Sequence, residues 1–170
     1  MFDWEQTEFG LRESHRWTIE TVCDESEEYR HMKREVDQAN NLIGENKREE
    51  AKRLLDAAAS RTFDHPRHDE WQLRLAYAWI YGGWRDEAIA ACHSVRRRDR
   101  LPAFYFVEAQ AQSALGRRLK ALALLDRCEQ LLGPLPQPGA ERLSILEGLR
   151  RYDEAVAQCQ RQLALRPDSL

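Results

Sequence analysis

An alanine returns along this 170-residue chain at a nearly constant interval, at Ala51, Ala88, Ala121 and Ala155, with spacings of 37, 33 and 34 residues. Each one closes a similar phrase, a turn followed by a charged helix start. The phrases are Glu45-Asn46-Lys47-Arg48-Glu49-Glu50-Ala51, Gly83-Trp84-Arg85-Asp86-Glu87-Ala88, Gly116-Arg117-Arg118-Leu119-Lys120-Ala121 and Arg150-Arg151-Tyr152-Asp153-Glu154-Ala155. A period in the thirties is too long for one helix or strand and fits two helices with their turns. It therefore predicts a stacked array of helical hairpins, in which each unit buries its apolar face against its neighbours. Arrays of this kind offer an extended surface suited to binding other proteins.

Composition agrees with a folded helical chain: 42 % of residues are hydrophobic and 32 % charged. Mean hydropathy is −0.72, and no apolar run approaches the ~18 residues a membrane helix needs. The first twenty residues hold Asp3, Glu5, Glu8 and Glu13 and no apolar segment of signal-peptide type. These features predict a cytoplasmic protein with no membrane insertion. Charge is unevenly spread. Residues 1–28 carry nine acids against Arg12 and Arg16, a net of −7, which leaves +4 for the rest of a chain whose total is −3. Residues 1–23 are thus an acidic N-terminal extension, and one rich in large apolar groups: Phe2, Trp4, Phe9, Trp17, Ile19 and Val22. Such a segment packs as an extra helix on the first unit or is buried in a second copy, making a homodimer.

The four cysteines, Cys23, Cys92, Cys128 and Cys159, form no C-x-x-C pair, so neither a metal nor a redox site is predicted. The repeat register puts Cys92, Cys128 and Cys159 on inward helix faces as small apolar groups.

Helix signals divide the chain into four pairs. The first covers about residues 25–43 and 48–60, with Asp24 as N-cap. The stretch 62–68 interrupts it, because Pro66 disfavours helix at His65. The second covers about 69–81 and 85–97, with Gly82-Gly83 between. The third begins after Leu101-Pro102, covers about 103–115 and 119–132, and is divided at Gly116. Residues 133–139, Gly-Pro-Leu-Pro-Gln-Pro-Gly, read as a rigid non-helical linker. The last pair covers about 140–149 and 152–165.

The phrase from Leu75 to Ile89, LAYAWIYGGWRDEAI, resembles the tetratricopeptide repeat (TPR). Twelve residues before the anchoring alanine that family places Gly or Ala; Ala39, Ala76 and Ala109 comply and Leu143 departs. Five before, at the turn, stand Asn46, Gly83, Gly116 and Arg150. Four after stand Leu55, Cys92, Leu125 and Cys159, and seven after, Ala58, Val95, Cys128 and Gln162. The resemblance implies an all-α, right-handed α-solenoid of about four helix pairs with an N-terminal helical extension. Repeats fall at about 31–64, 69–101, 102–135 and 139–168 in one domain, 24–168. The second and third match best.

By the same resemblance, the first helix of each unit lines a concave groove. It comprises Val36, Asn40, Ile43, Leu73, Tyr77, Ile80, Tyr81, Phe106, Gln110 and Ser113, followed by Ser144 and Glu147 in the last unit. An aromatic and aliphatic lining with amide and hydroxyl groups beside it suits an extended peptide or a helix, anchored on Tyr77, Tyr81 and Phe106. The carboxylate clamp of chaperone-binding TPR domains is mostly missing. Asn40 matches it, while Val36, Arg74, Ala103 and Val107 occupy the other positions. The expected function is a non-catalytic adaptor or chaperone-like module with no cofactor. The TPR chaperones of type III secretion are the alternative, similar in size and architecture. Two further classes rest on local clusters: nucleic-acid binding through Arg96–Arg100 and a metal enzyme built on His65, His68, Asp69 and Glu70. The arginine run lacks interleaved aromatics and reads as a helix end. The histidine cluster lacks motif-like spacing and reads as a solvated loop.

Overall fold

The computed structural model of the chain describes residues 27–61, 68–95 and 98–165. Among the described residues it is all-helical, with eight α-helices, one 3₁₀ turn and no strand. The helices are α1 (Glu27–Gly44), α2 (Arg48–Ala59), α3 (His68–Gly82), α4 (Arg85–Ser94), α5 (Ala103–Ala114), α6 (Arg118–Leu132), α7 (Pro136–Gly148) and α8 (Tyr152–Leu165), with the 3₁₀ turn at Arg98–Arg100. The extension 1–23 and the cap at Asp24 lie outside the described residues, as does His65. No described helix is long and apolar enough to cross a membrane.

One turn is built four times. Asn46, Gly83, Gly116 and Arg150, each five residues before an anchoring alanine, all have positive φ, at 64°, 83°, 77° and 58°. At each of them the same two bonds close the preceding helix. The Gly83 amide donates to the Ile80 carbonyl and the Trp84 amide to Trp79; the Gly116 amide donates to Ser113 and the Arg117 amide to Gln112. Asn46 and Lys47 bond Ile43 and Leu42 in the same way, and Arg150 and Arg151 bond Glu147 and Leu146. This is the Schellman closure of a helix end. The next helix starts at once, since the amides of Ala51, Ala88, Ala121 and Ala155 donate four residues back to Lys47, Trp84, Arg117 and Arg151. Acids in the first turns of α2, α4 and α8 then face the positive end of the helix dipole.

Within each hairpin the two helices pack together. The first helices also meet in succession, α1 with α3, α3 with α5 and α5 with α7, and the second helices α2, α4 and α6 each pack on the first helix of the following hairpin. The core runs through these contacts. Ala39, Ala51, Leu55 and Ala58 of the first hairpin are fully buried, so it is as closely packed as the second and third. The first two hairpins are joined by a cationic stack. Arg48 of α2 lies 5.4 Å from the Trp84 ring centre and donates to the Gly82 carbonyl at 2.6 Å, and Trp84 meets Trp79 edge-on at 5.7 Å. That stack explains Gly82, where a Cβ would fall 1.9 Å from the Trp84 ring.

Two helix boundaries differ from the sequence expectation. The expected linker 133–139 is only Gly133–Leu135, and α7 begins at Pro136. Proline there costs nothing, because the first amides of a helix have no intrahelical acceptor, and Pro138 and Gly139 are buried. Helix α4 stops at Ser94 instead of running to Arg97. The Ser94 hydroxyl bonds the Ala91 carbonyl at 2.7 Å, and Val95 turns extended and buried.

Candidate functional site

Four of the residues expected to line the groove meet at one place. Val36 and Asn40 of α1 and Tyr77 and Tyr81 of α3 line a pocket together with Asp37, Arg74 and Ala78. The repeat register explains the meeting. Asn40 and Tyr77 both stand eleven residues before their anchors, and Asp37 and Arg74 both stand fourteen before. Stacked hairpins bring equal registers side by side. The cavity is about 20 Å³, room for little more than one water-sized group. The Asn40 Oδ1 is buried there without a hydrogen-bond partner, so an acceptor waits in a notch whose lining mixes apolar, aromatic and charged side chains.

By burial the expected groove residues separate into two sets. Val36, Leu73 and Phe106, each fifteen before the anchor, are buried in the core. Phe106 is 5 % exposed, so its ring serves packing between hairpins and is not open as an anchor. Ile43, Ile80, Gln110 and Ser113 are half-buried, and Tyr81 is the most open aromatic of the set at 39 %. In the last unit Ser144 and Glu147 are exposed. Asp37 and Arg74 were not among the expected lining residues. Their shared register, one position from the buried set, was the signal in the sequence that could have found them.

In the basic run 96–100, Arg98 is the one arginine whose side chain is described. Arg98 lies 4.7 Å from the Tyr105 ring centre and pairs at 2.5 Å with Glu108, which is 1 % exposed. His93 approaches the other Glu108 oxygen at 3.1 Å, and Lys120 lies 3.5 Å from it. Burial alone would raise the Glu108 carboxyl. The hydrogen bonds from His93 and Arg98, with the Arg98 charge, outweigh it and hold the group below the usual carboxylate range. Arg98 is therefore committed inward. His68 opens α3 beside Asp69, its Nδ1 3.5 Å from the carboxylate. Among the described residues no group of three His, Cys, Asp or Glu side chains is placed to hold a metal.

Cys92 and Cys128 are buried, as their register predicts, and burial pushes both thiols up to about 12. Cys159 departs from expectation: it is exposed. In the first three units the second helix is covered by the next hairpin, whereas α8 has only α7 as a principal neighbour. Comparison with protein-family models, curated proteins and solved structures finds no match for this chain.

Proposed function

We propose that the chain is a non-catalytic, protein-binding member of the TPR-like helical repeats. In this reading its hairpins wind as a right-handed solenoid, and an extended peptide or a helix of a partner protein lies along the first-helix face. The observation that carries it is the notch between α1 and α3, where Asn40, Tyr77 and Tyr81 come together around an unpartnered buried acceptor. Its size argues for a peptide over a metabolite. Small-molecule pockets run to ~300 Å³ or more, whereas this one takes a single small side chain or a peptide N–H. Asn40 Oδ1 supplies the acceptor for that N–H, and the tyrosine rings supply rigid contact area. Arg74 and Asp37, which also line it, add one charge of each sign.

Panning a displayed peptide library on the purified full chain tests this reading. Selected peptides should bind in solution, and Tyr77→Ala should weaken them about thirtyfold, the effect of a ~2 kcal/mol anchor. Asn40→Ala should weaken them less. Unchanged affinity in a Tyr77→Ala/Tyr81→Ala variant with an unaltered helical spectrum would exclude this face as the site.

A further inference from the structure

Helices α6 and α8 both pack on α7, and side chains from all three line a cavity of about 300 Å³. It involves none of the helices of the notch at Asn40, and its volume reaches the range of small-molecule sites. Arg142 of α7 stands thirteen residues before its anchor, the register that holds Glu108 in the preceding hairpin. Glu108 is satisfied on both oxygens, one by Arg98 and the other by His93 and Gln112. Arg142 is not. Its Nη1 meets Asp126 at 2.7 Å and its Nη2 meets Glu129 at 3.1 Å, while its Nε is buried with no acceptor. Gln158 of α8, only 3 % exposed, lines the same cavity, and its Nε2 is likewise buried with no acceptor. Gly139 of α7 makes room for that amide, since a Cβ there would fall 2.9 Å from Nε2.

We propose that this cavity binds a small aliphatic monocarboxylate, whose carboxylate accepts from Arg142 Nε and Gln158 Nε2. The hydrogen-bonding capacity left over selects an acceptor. Both carboxylates that line the cavity are already engaged, Asp126 by Arg142 and Glu154 by Arg151 at 2.5 and 2.7 Å. The unpartnered Glu129 Oε1 belongs to a residue that lines a neighbouring cavity. Charge selects a monoanion. Arg142, Arg151 and Arg161 face Asp126 and Glu154 across the lining, an excess of one positive charge. One carboxylate neutralises that excess, and a phosphate dianion overshoots it. Leu122, Leu146 and Ala157 supply an apolar wall for the aliphatic body. Water would answer the two N–H groups but neither the excess charge nor the apolar wall.

NMR titration of the full chain with isovalerate tests the proposal, read at the Gln158 side-chain amide, the Arg142 Nε–H and the Leu122 and Leu146 methyls. These signals should shift together and saturate in the low-millimolar range that suits so small a ligand. Isovaleramide has the same body without the charge, and inorganic phosphate has charge without the body. Each should bind at least about tenfold more weakly. Gln158→Leu replaces an unpartnered amide by an apolar group of similar size, so the helical spectrum should persist. Isovalerate should then bind about tenfold more weakly, for the loss of one charge-assisted hydrogen bond. Arg161→Gln, at a position 62 % exposed, should weaken it severalfold at low salt and less at high salt. Absence of a saturable shift overturns the proposal, and so does isovaleramide or phosphate binding as tightly as isovalerate. An Arg142 Nε–H signal that stays still while the others move overturns the assigned anchor, the guanidinium then being closed on Glu129. Unchanged affinity in either variant overturns the assigned cavity.

Discussion

Helices α6 and α8 are the second helices of successive hairpins, and equal registers in them meet opposite surroundings. In α6 the anchor and the residues four and seven after it, Ala121, Leu125 and Cys128, are all fully buried. In α8 the same registers hold Ala155, Cys159 and Gln162, of which only Ala155 is buried. The difference lies in the neighbours. Helix α6 packs on α5 and on α7, while α8 has α7 as its principal contact. A repeat position is thus apolar for a structural reason only where a second neighbour covers it. On α8 Tyr152, Val156 and Leu163 stand exposed, at positions that no described helix covers.

Thiol chemistry reads this contrast most sharply. In a Cys23→Ser chain the exposed Cys159 should react at once with a thiol reagent. Cys92 and Cys128 are buried and poorly ionised, with values pushed up to about 12. They should react only through opening of the fold, at least about a thousandfold more slowly. Three thiols reacting at one rate would show that α6 and α8 are equally open, and the comparison would fail.

Truncation at matched registers comes next in size. Leu125→Ala should cost about 3 kcal/mol of stability, as a large-to-small change at a closed core position. Cys159→Ala should change stability by less than about 0.5 kcal/mol. Urea unfolding followed by helical circular dichroism separates the two. Equal losses would mean that α8 is as tightly enclosed as α6.

A smaller effect, about 2 kcal/mol, is expected from Glu108→Ala, which strips Arg98 and His93 of their shared carboxylate at the joint of the second and third hairpins. Its pH dependence has a fixed sign. The Glu108 carboxyl sits below its ordinary value of 4.5 in the folded chain, so its contribution is present above that value. It fades as pH falls through the lower folded value. Wild type and Glu108→Ala should therefore differ at pH 7 and converge in strong acid. A gap that stays constant to pH 2 would assign the loss to packing alone.

The turns and the repeat were legible in the sequence because both are local. Asn46, Gly83, Gly116 and Arg150 share an offset, and each adopts the same left-handed backbone. The buried small residues followed from that offset. What lay hidden was which side of each first helix faces a neighbour. Leu73 and Phe106 belong to the core and Val36, though buried, also lines the pocket, which Asp37 and Arg74, one position after Val36 and Leu73, reach as well. One residue turns a helix face by 100°, and a period of 33 to 37 residues fixes the stacking without fixing that angle. The start of α7 at Pro136 was hidden for another reason. Prolines read as linker unless the missing amides of a first helical turn are counted. The exposure of Cys159 is likewise set by the absence of a following hairpin among the described residues, not by its own register.

The smallest expected effect returns to the fourth hairpin. Arg150 sits at φ 58°, where the equivalent residues of the second and third hairpins are glycines. A side chain there crowds the following carbonyl and costs about 1 kcal/mol that glycine does not incur. The turn itself is intact, since the Arg150 and Arg151 amides still bond Glu147 and Leu146 at 2.9 and 3.0 Å. Arg150→Gly should therefore stabilise the chain by somewhat under 1 kcal/mol, part of the relief being offset by the greater freedom of glycine in the unfolded chain. The reciprocal change, Gly116→Ala, should destabilise by about 1 kcal/mol. No atom lies within 4 Å of a Cβ built there, so backbone strain is the whole of that cost. Opposite signs for the pair mean that the last hairpin differs from the inner ones in strain as well as in cover. A loss of stability in Arg150→Gly would mean instead that the Arg150 side chain holds the turn, and the two hairpins would then close by different means.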